Sequence, residues 1–286
     1  MKPAPFEYHR PASLAETFDL LDRYGDDGRI LAGGQSLVPA LNLRLATPRA
    51  VIDINRLPDL DGIRVTSEGL AIGALVRQEA LERSPLVREH APLLAAAVPH
   101  VGHSAIRARG TVGGSLALAD PAAELPACMV ALDAMIHVAG RAGRREIAAA
   151  DFFRGIYTTA LGPGEIVTEV RRPRAPAGWR WGFDELARRH GDFALAGLAA
   201  GLRVAGDATE ARLVFLGVGI GPVRARRAEA ALAGRPLSAD SLAAAARALD
   251  GDLDPPGDIH GSPALRRHLA AVLLARVVGR LAEVRA

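Results

Sequence analysis

The chain has 286 residues, 49% of them hydrophobic, with 35 basic and 32 acidic side chains and a net charge of +3 at pH 7. That is enough apolar material for two domains with sizeable cores, and the single cysteine, Cys128, excludes an internal disulfide or an iron–sulfur cluster built by this chain alone. The pI of 9.6 does not point to nucleic acid, because Lys2 is the only lysine, acids nearly balance the arginines, and 4% aromatics leave no basic stripe interleaved with rings.

The opening "MKPAPFEYHRPASLAETFDLL" has no apolar signal core, and no apolar run is long enough to cross a bilayer, so a reducing cytoplasmic setting is expected. From Ser13 to Arg23 apolar residues recur at helical spacing behind Ser13, with Glu16 three positions on, the signature of a capped helix. "GRILAGG" reads as a short strand ending in glycines, "SLVPALNLRLATP" as an irregular helix or loop interrupted at Pro39, and "AVIDI" at 50–54 as a second strand. Together these form a small parallel unit. After Asn55 the pattern changes. A hairpin is expected over 62–76, then helices over "QEALERSPLV" and "APLLAAAVPHV". A second glycine loop follows, then a helix over "ELPACMVALDA", a hairpin over "MIHVAGRAGRREI" and a strand over "EIVTEVRRP". The Pro/Arg-rich stretch 171–178 reads as a linker. Beyond it come strands over "RWGFDELAR" and "ARLVFLGVGI" around an Ala/Gly-rich stretch. Helices are then expected over "RARRAEAALAG", "SADSLAAAARAL" and 262–284.

Two Gly-Gly loops carry the chemistry. In "AGGQS", Gly33 and Gly34 end a strand and are followed by the donors Gln35 and Ser36. In "TVGGS", Thr111 and Ser115 flank Gly113 and Gly114. Glycine lets a ligand approach the backbone, and consecutive N–H groups form nests for phosphate oxygens. Either loop alone is equally a tight turn; the repetition favours one ligand with two charged groups, a pyrophosphate. The stretch 213–232 imitates a dinucleotide fingerprint, but Gly217 and Gly219 are followed by Pro222 where a third glycine is required. His100 and His103 lack further ligands for a metal site. Asp120 and Glu124 read as cap and first turn of a helix starting near Pro121, with one available to a ligand hydroxyl. Cys128 lies in an apolar run and reads as inert core. No nucleophile elbow or P-loop lysine is present, and no catalytic acid, base or metal ligand is assigned.

The ordered set "AGGQSLVPALNLRLATP", "IRARGTVGGSLALADPAAELPA", "DFFRGIYTTAL", "GEIVTEV", "LARRHGDFALAG" and "DIHGSPALRRHLA" resembles the FAD-binding medium subunit of molybdenum hydroxylases, the family of aerobic-type carbon monoxide dehydrogenase and xanthine dehydrogenase. The resemblance covers nearly the whole chain. It implies an α+β fold: a vanillyl-alcohol-oxidase (PCMH)-type FAD-binding domain over 1–176, in subdomains of about 1–55 and 56–176, and a C-terminal domain over 177–286 with a three-stranded antiparallel sheet and a helical bundle. It further implies that Arg29, Ile30, Leu31, Ala32, Gly33, Gly34, Gln35, Ser36, Leu37 and Val38 form the first pyrophosphate loop, and Thr111, Val112, Gly113, Gly114 and Ser115 the second. By the same resemblance Val101 lines the adenosine end, Glu124 meets ribityl or ribose hydroxyls, and Val167 and Phe193 stand near the isoalloxazine. Three positions depart from the family: Ala108 replaces a usual Asn, Asp184 stands where animal relatives carry a lysine, and Phe193 lacks a tyrosine hydroxyl. The function implied is electron transfer from [2Fe–2S] clusters of a small partner subunit, through FAD, to a terminal acceptor. A large molybdopterin subunit would complete a heterotrimer that pairs into a dimer of heterotrimers. Two alternatives are a self-sufficient FAD-dependent oxidase or dehydrogenase and an assembly protein that has lost flavin.

Overall fold

A computed structural model describes residues 2–206 and 208–283. Three short parallel strands open the chain: β1 (Glu7–His9), β2 (Gly28–Leu31) and β3 (Ala50–Asp53), in the order β1-β3-β2. Helix α1 (Leu14–Tyr24) precedes β2, and Ser13 caps it by accepting from Glu16 N–H. Glu16 reaches back to Ala12 N–H at 2.8 Å, one residue earlier than a reciprocal capping box requires. Helix α2 (Leu37–Asn42) carries Pro39 in its first turn, where the missing N–H costs no helical bond, so the proline does not interrupt it.

The second layer is a five-stranded antiparallel sheet, β4 (Ile63–Val65), β5 (Gly69–Gly73), β6 (Met135–Gly140), β7 (Gly143–Ala148) and β10 (Ile166–Pro173), in the order β4-β5-β10-β6-β7. Strands β8 (Phe153–Gly155) and β9 (Thr158–Thr159) form a separate small ladder. One face of the large sheet is covered by helices α3 (Gln78–Arg83), α4 (Pro85–His90), α5 (Pro92–Ala97), α7 (Val112–Leu118), α8 (Glu124–Ala131) and α9 (Ala149–Phe152), with α6 (Ser104–Arg107) against α3. The helix expected over 78–87 is two, because Pro85 starts a new one with Ser84 as its cap.

The third layer is β11 (Arg180–Leu186), β12 (Ala196–Ala205), β13 (Ala208–Leu216) and β14 (Val223–Arg224), antiparallel in chain order. It contains the three long strands expected, with β14 as a two-residue addition at the edge. One face packs on α5 and α8, so Phe183, Ala199, Val214 and Leu216 join the core of the preceding domain. The other face packs on α10 (Arg226–Leu232), α11 (Ala239–Ala248) and α12 (Pro263–Glu283). Val284, expected at the end of the last helix, lies outside the described residues. Strand β10 continues to Pro173 and Arg172 is buried, so only 174–179 connects the two domains as irregular chain.

Candidate functional site: two glycine loops meet at the ends of the parallel strands

The first glycine loop leaves the carboxyl end of β2, the end of a parallel sheet where ligands bind. Gly34 has φ 75°, a conformation open to glycine at little cost. Val38 N–H returns to Gly34 O at 3.0 Å, but the N–H groups of Gly33, Gly34, Gln35 and Ser36 donate to no atom among the described residues. The Ser36 hydroxyl caps nothing. Four successive free donors at the start of a helix form an anion nest.

The second loop lies directly against the first. A Cβ on Gly33 would sit 2.4 Å from Arg109 O and 2.8 Å from Gly110 Cα, closer than side-chain carbons come to anything. Ala32 approaches Gly114 from the same side. The two loops are therefore one structure, as their repetition suggested, but their donors are not equivalent. Val112 N–H is bonded to Val76 O, Gly113 N–H to Ala74 O, Gly114 N–H to the Thr111 hydroxyl, and Ser115 N–H to Thr111 O. This corrects the expectation that both loops present free N–H groups. Gly113 is glycine because a Cβ there would meet the Ala74 Cβ at 2.5 Å, against the end of β5.

A polar clasp holds the loops together. Arg77 donates to Arg109 O and to Asn55 Oδ1, both at 2.6 Å, and Asn55 Nδ2 donates to Ala32 O at 2.8 Å and to Asp53. Burial alone would raise the Asp53 pKa, yet hydrogen bonds from the Tyr8 hydroxyl and Asn55 bring it below the ordinary carboxylate value. Asn55 lies 23 positions from Ala32 and Arg77 lies 32 from Arg109, with no glycine pattern to mark them. Asn55 showed only as the point where the sequence changes character.

The other expected site residues are spread over several elements. Arg29 is exposed and its guanidinium is tied back to Asp26 O and Gly28 O. Ile30 packs in the core beneath β3, while Leu31 and Val38 flank Gly34. Val101 follows α5 through a short 3-10 turn and offers its carbonyl to Arg107. Val112 is fully buried, and Val167 is buried at a bulge of β10. Phe193 is 74% exposed, on the β11–β12 loop whose Gly191 rests against the His103 ring. Asp184 points to α12, where Arg276 and Arg280 bind it. Asp120 accepts from Ala122 N–H at 2.9 Å, and α8 starts at Glu124 instead of Pro121.

Glu124 occupies the first turn of α8 with its carboxyl buried. Burial pushes its pKa up to about 7, and Asp120 adds to the rise. Across the domain boundary, Glu185 on β11 is pushed to about 8 by burial and by the neighbouring charges of Glu124 and Asp184; its Oε2 has no hydrogen-bond partner among the described residues. His100 Nδ1 lies 3.7 Å from Glu185 Oε1. Burial lowers the His100 pKa. At neutral pH the pair is thus an uncharged imidazole beside a carboxylic acid, not an ion pair. Glu185 carried no signal in the sequence. Cys128 is fully buried next to both acids and its thiol is held well above the ordinary value by burial.

A run of free N–H groups where the small parallel layer meets the second layer, in a chain that also buries acids of raised pKa, suits a flavin- or nucleotide-holding protein of the α+β class. Comparison with known proteins identifies the kind. Residues 4–175 match the FAD binding domain in molybdopterin dehydrogenase, and residues 181–281 match the CO dehydrogenase flavoprotein C-terminal domain. The chain belongs to the family of FAD-binding medium subunits of molybdenum hydroxylases. It is 40% identical to the 6-hydroxypseudooxynicotine dehydrogenase complex subunit alpha of Paenarthrobacter nicotinovorans, over 98% of this chain and 95% of that one. It is 36% identical to the carbon monoxide dehydrogenase medium chain of Hydrogenophaga pseudoflava, over 97% of each. Among solved structures, quinoline 2-oxidoreductase from Pseudomonas putida 86 superposes with a TM-score of 0.93 at 39% identity, covering 99% of both chains.

Proposed function

We propose that this chain is the FAD-binding electron-transfer subunit of a molybdenum-dependent hydroxylase or dehydrogenase. It would take electrons from the [2Fe–2S] clusters of a small partner subunit and pass them to a terminal acceptor. The primary substrate would be oxidised on a large molybdopterin subunit, in a cytoplasmic dimer of heterotrimers. The observation that carries this reading is the run of free N–H groups from Gly33 to Ser36 at the junction of the two loops. The lone, sealed Cys128 supports it, since one thiol cannot hold a cluster.

FAD, when bound, supplies the electron-pair chemistry. The residues of the chain bind and orient it. The Arg29–Val38 segment supplies donors to the diphosphate. Thr111–Ser115 forms the wall opposite, its own donors already used to hold it rigid. Val101 is assigned to the adenosine end, and Val167 and Phe193 to the ring. Glu124, whose pKa of about 7 leaves both protonation forms populated at neutral pH, can donate its carboxyl O–H to a sugar hydroxyl or accept from one. The FAD-binding domain is taken as 1–176, with subdomains meeting near residue 55, and the C-terminal domain as 177–286.

The test is purification of the native assembly. Co-purifying subunits that carry molybdenum, iron and sulfide, together with flavin on this chain, are expected. The isolated chain should be yellow and should turn over no alcohol or lactone. Robust oxidation by the chain alone would replace this reading with a self-sufficient oxidase. A colourless chain that FAD cannot reconstitute would leave only an assembly role.

A further inference from the structure

At the junction of the two domains, away from the glycine loops, a cavity of about 70 Å³ is walled by Arg172, Arg174, Arg212, Asp133, Trp179 and Trp181. Arg172 is the unusual member. It is 7% exposed and has neither a hydrogen bond nor an ion pair among the described residues. Burial and the neighbouring charge of Arg212 both disfavour its cationic form. A guanidinium stays charged in proteins, so a largely buried positive charge, opening on the cavity, stands near that of Arg212. Removing one partner from a buried ion pair is strongly destabilising for the same reason.

The only carboxylate in the wall cannot neutralise it. Asp133 is bound by Arg212 and lies 4.0 Å from Arg224. Arg174 is exposed, and its side chain has no partner among the described residues. The remaining wall is rigid and polarisable: Trp179 and Trp181 stack with centroids 5.4 Å apart, and Arg212 and Arg203 lie over the Trp179 ring. Three guanidiniums against one committed carboxylate leave an excess of two positive charges around a space of about two waters, at roughly 30 Å³ each. A ligand pocket for a nucleotide or drug-sized molecule is several times larger.

We propose that Arg172, Arg174 and Arg212 form a binding site for a small tetrahedral oxyanion, phosphate or sulfate, which neutralises Arg172 and ties strand β10 to the C-terminal sheet. Guanidinium forks match oxyanion oxygens in pairs, and such charge-assisted bonds are the strong ones. The site is separate from the glycine loops, so its failure would leave the FAD assignment untouched.

The test uses the full FAD-loaded chain, so that the diphosphate nest is filled, in a buffer free of phosphate and sulfate. Phosphate is titrated by calorimetry against sodium chloride of equal ionic strength. Trp179 and Trp181 are the chain's only tryptophans, so their emission reports on this cavity directly. Saturable binding with a parallel change in emission is expected from phosphate and sulfate, and none from chloride. Arg172→Met should weaken it about tenfold or more. Arg174→Glu, a change at an exposed position, should weaken it as well and keeps the test open if Arg172→Met does not fold. No saturable response to either anion would overturn the proposal, as would binding that survives both substitutions. Acetate binding as tightly as phosphate would overturn the tetrahedral assignment in favour of a planar carboxylate.

Discussion

Replacing Gly33 with alanine separates the role of the first loop from that of the second. The added Cβ would lie 2.4 Å from Arg109 O, whereas such carbons essentially never come within 3.0 Å of another atom, so the loops must part by about 0.6 Å. The obstacle is backbone held by Arg77, not a side chain that can swing away. Overpacking of this kind costs about 1–3 kcal/mol. If that cost falls on the closed arrangement that binds the diphosphate, FAD affinity drops about 5- to 150-fold. Gly113→Ala is the contrasting change. Its Cβ would strike Ala74 in the core, so a cost of similar size should appear as a melting temperature lowered by several degrees in the FAD-free chain. Calorimetric FAD titration and thermal melts of both variants read the two quantities. Gly33→Ala binding FAD within twofold of the parent would refute the idea that contact between the loops shapes the nest.

Three further outcomes are expected. The folded-state pKa of Glu185 is raised to about 8, so between its unfolded value of 4.5 and that point the folded chain holds a proton the unfolded chain releases. Stability should therefore fall as pH rises through this window, by up to about 1.4 kcal/mol per pH unit, and Glu185→Gln should flatten the slope in denaturant melts; identical slopes would contradict the assignment. Arg77→Met removes both bonds of the clasp and should cost about 1–3 kcal/mol by leaving Arg109 O and Asn55 unpaired, lowering both the melting temperature and FAD affinity; a change in neither would show that the clasp is dispensable. A thiol reagent should leave Cys128 unmodified in the folded chain and label it fully once the chain is unfolded, because the thiol is sealed and held in its protonated form; rapid native labelling would place it at a surface.

What the sequence reveals is local. Ser13 and Glu16 mark α1, and the apolar run 50–53 marks a parallel strand because its residues are buried from both sides, while 28–31, with Arg29 exposed, shows by its short apolar end before the glycines. Strand β12 is hidden for the opposite reason. Its "AGLAAGLRVA" has no β-branched alternation, since both faces are packed too tightly for large side chains: a Cβ at Gly197 would meet Leu216 at 2.7 Å, and one at Gly201 would meet Trp181 at 2.6 Å. Strand β1 is missed because its exposed "EYH" pairs only with the distant Ala50–Ile52. In the site, the glycines are visible as residue types, but the sequence does not tell that Gly33 faces a ligand nest while Gly113 faces Ala74. That distinction depends on which N–H groups the fold has already used. Glu185 and Arg77 are invisible for the same reason: burial and partnership across domains set their roles.

In the proposed function, FAD is held by this chain and reduced by a partner, not by a substrate of its own. The direct measurement is anaerobic mixing of the FAD-loaded chain with its small [2Fe–2S] subunit, previously reduced, while the flavin's visible absorption is followed. Bleaching of the flavin band at one FAD per chain, with no bleaching when organic substrates are added to the chain alone, is the predicted result. Flavin that stays oxidised beside the reduced partner, or that bleaches with substrate in its absence, would contradict it.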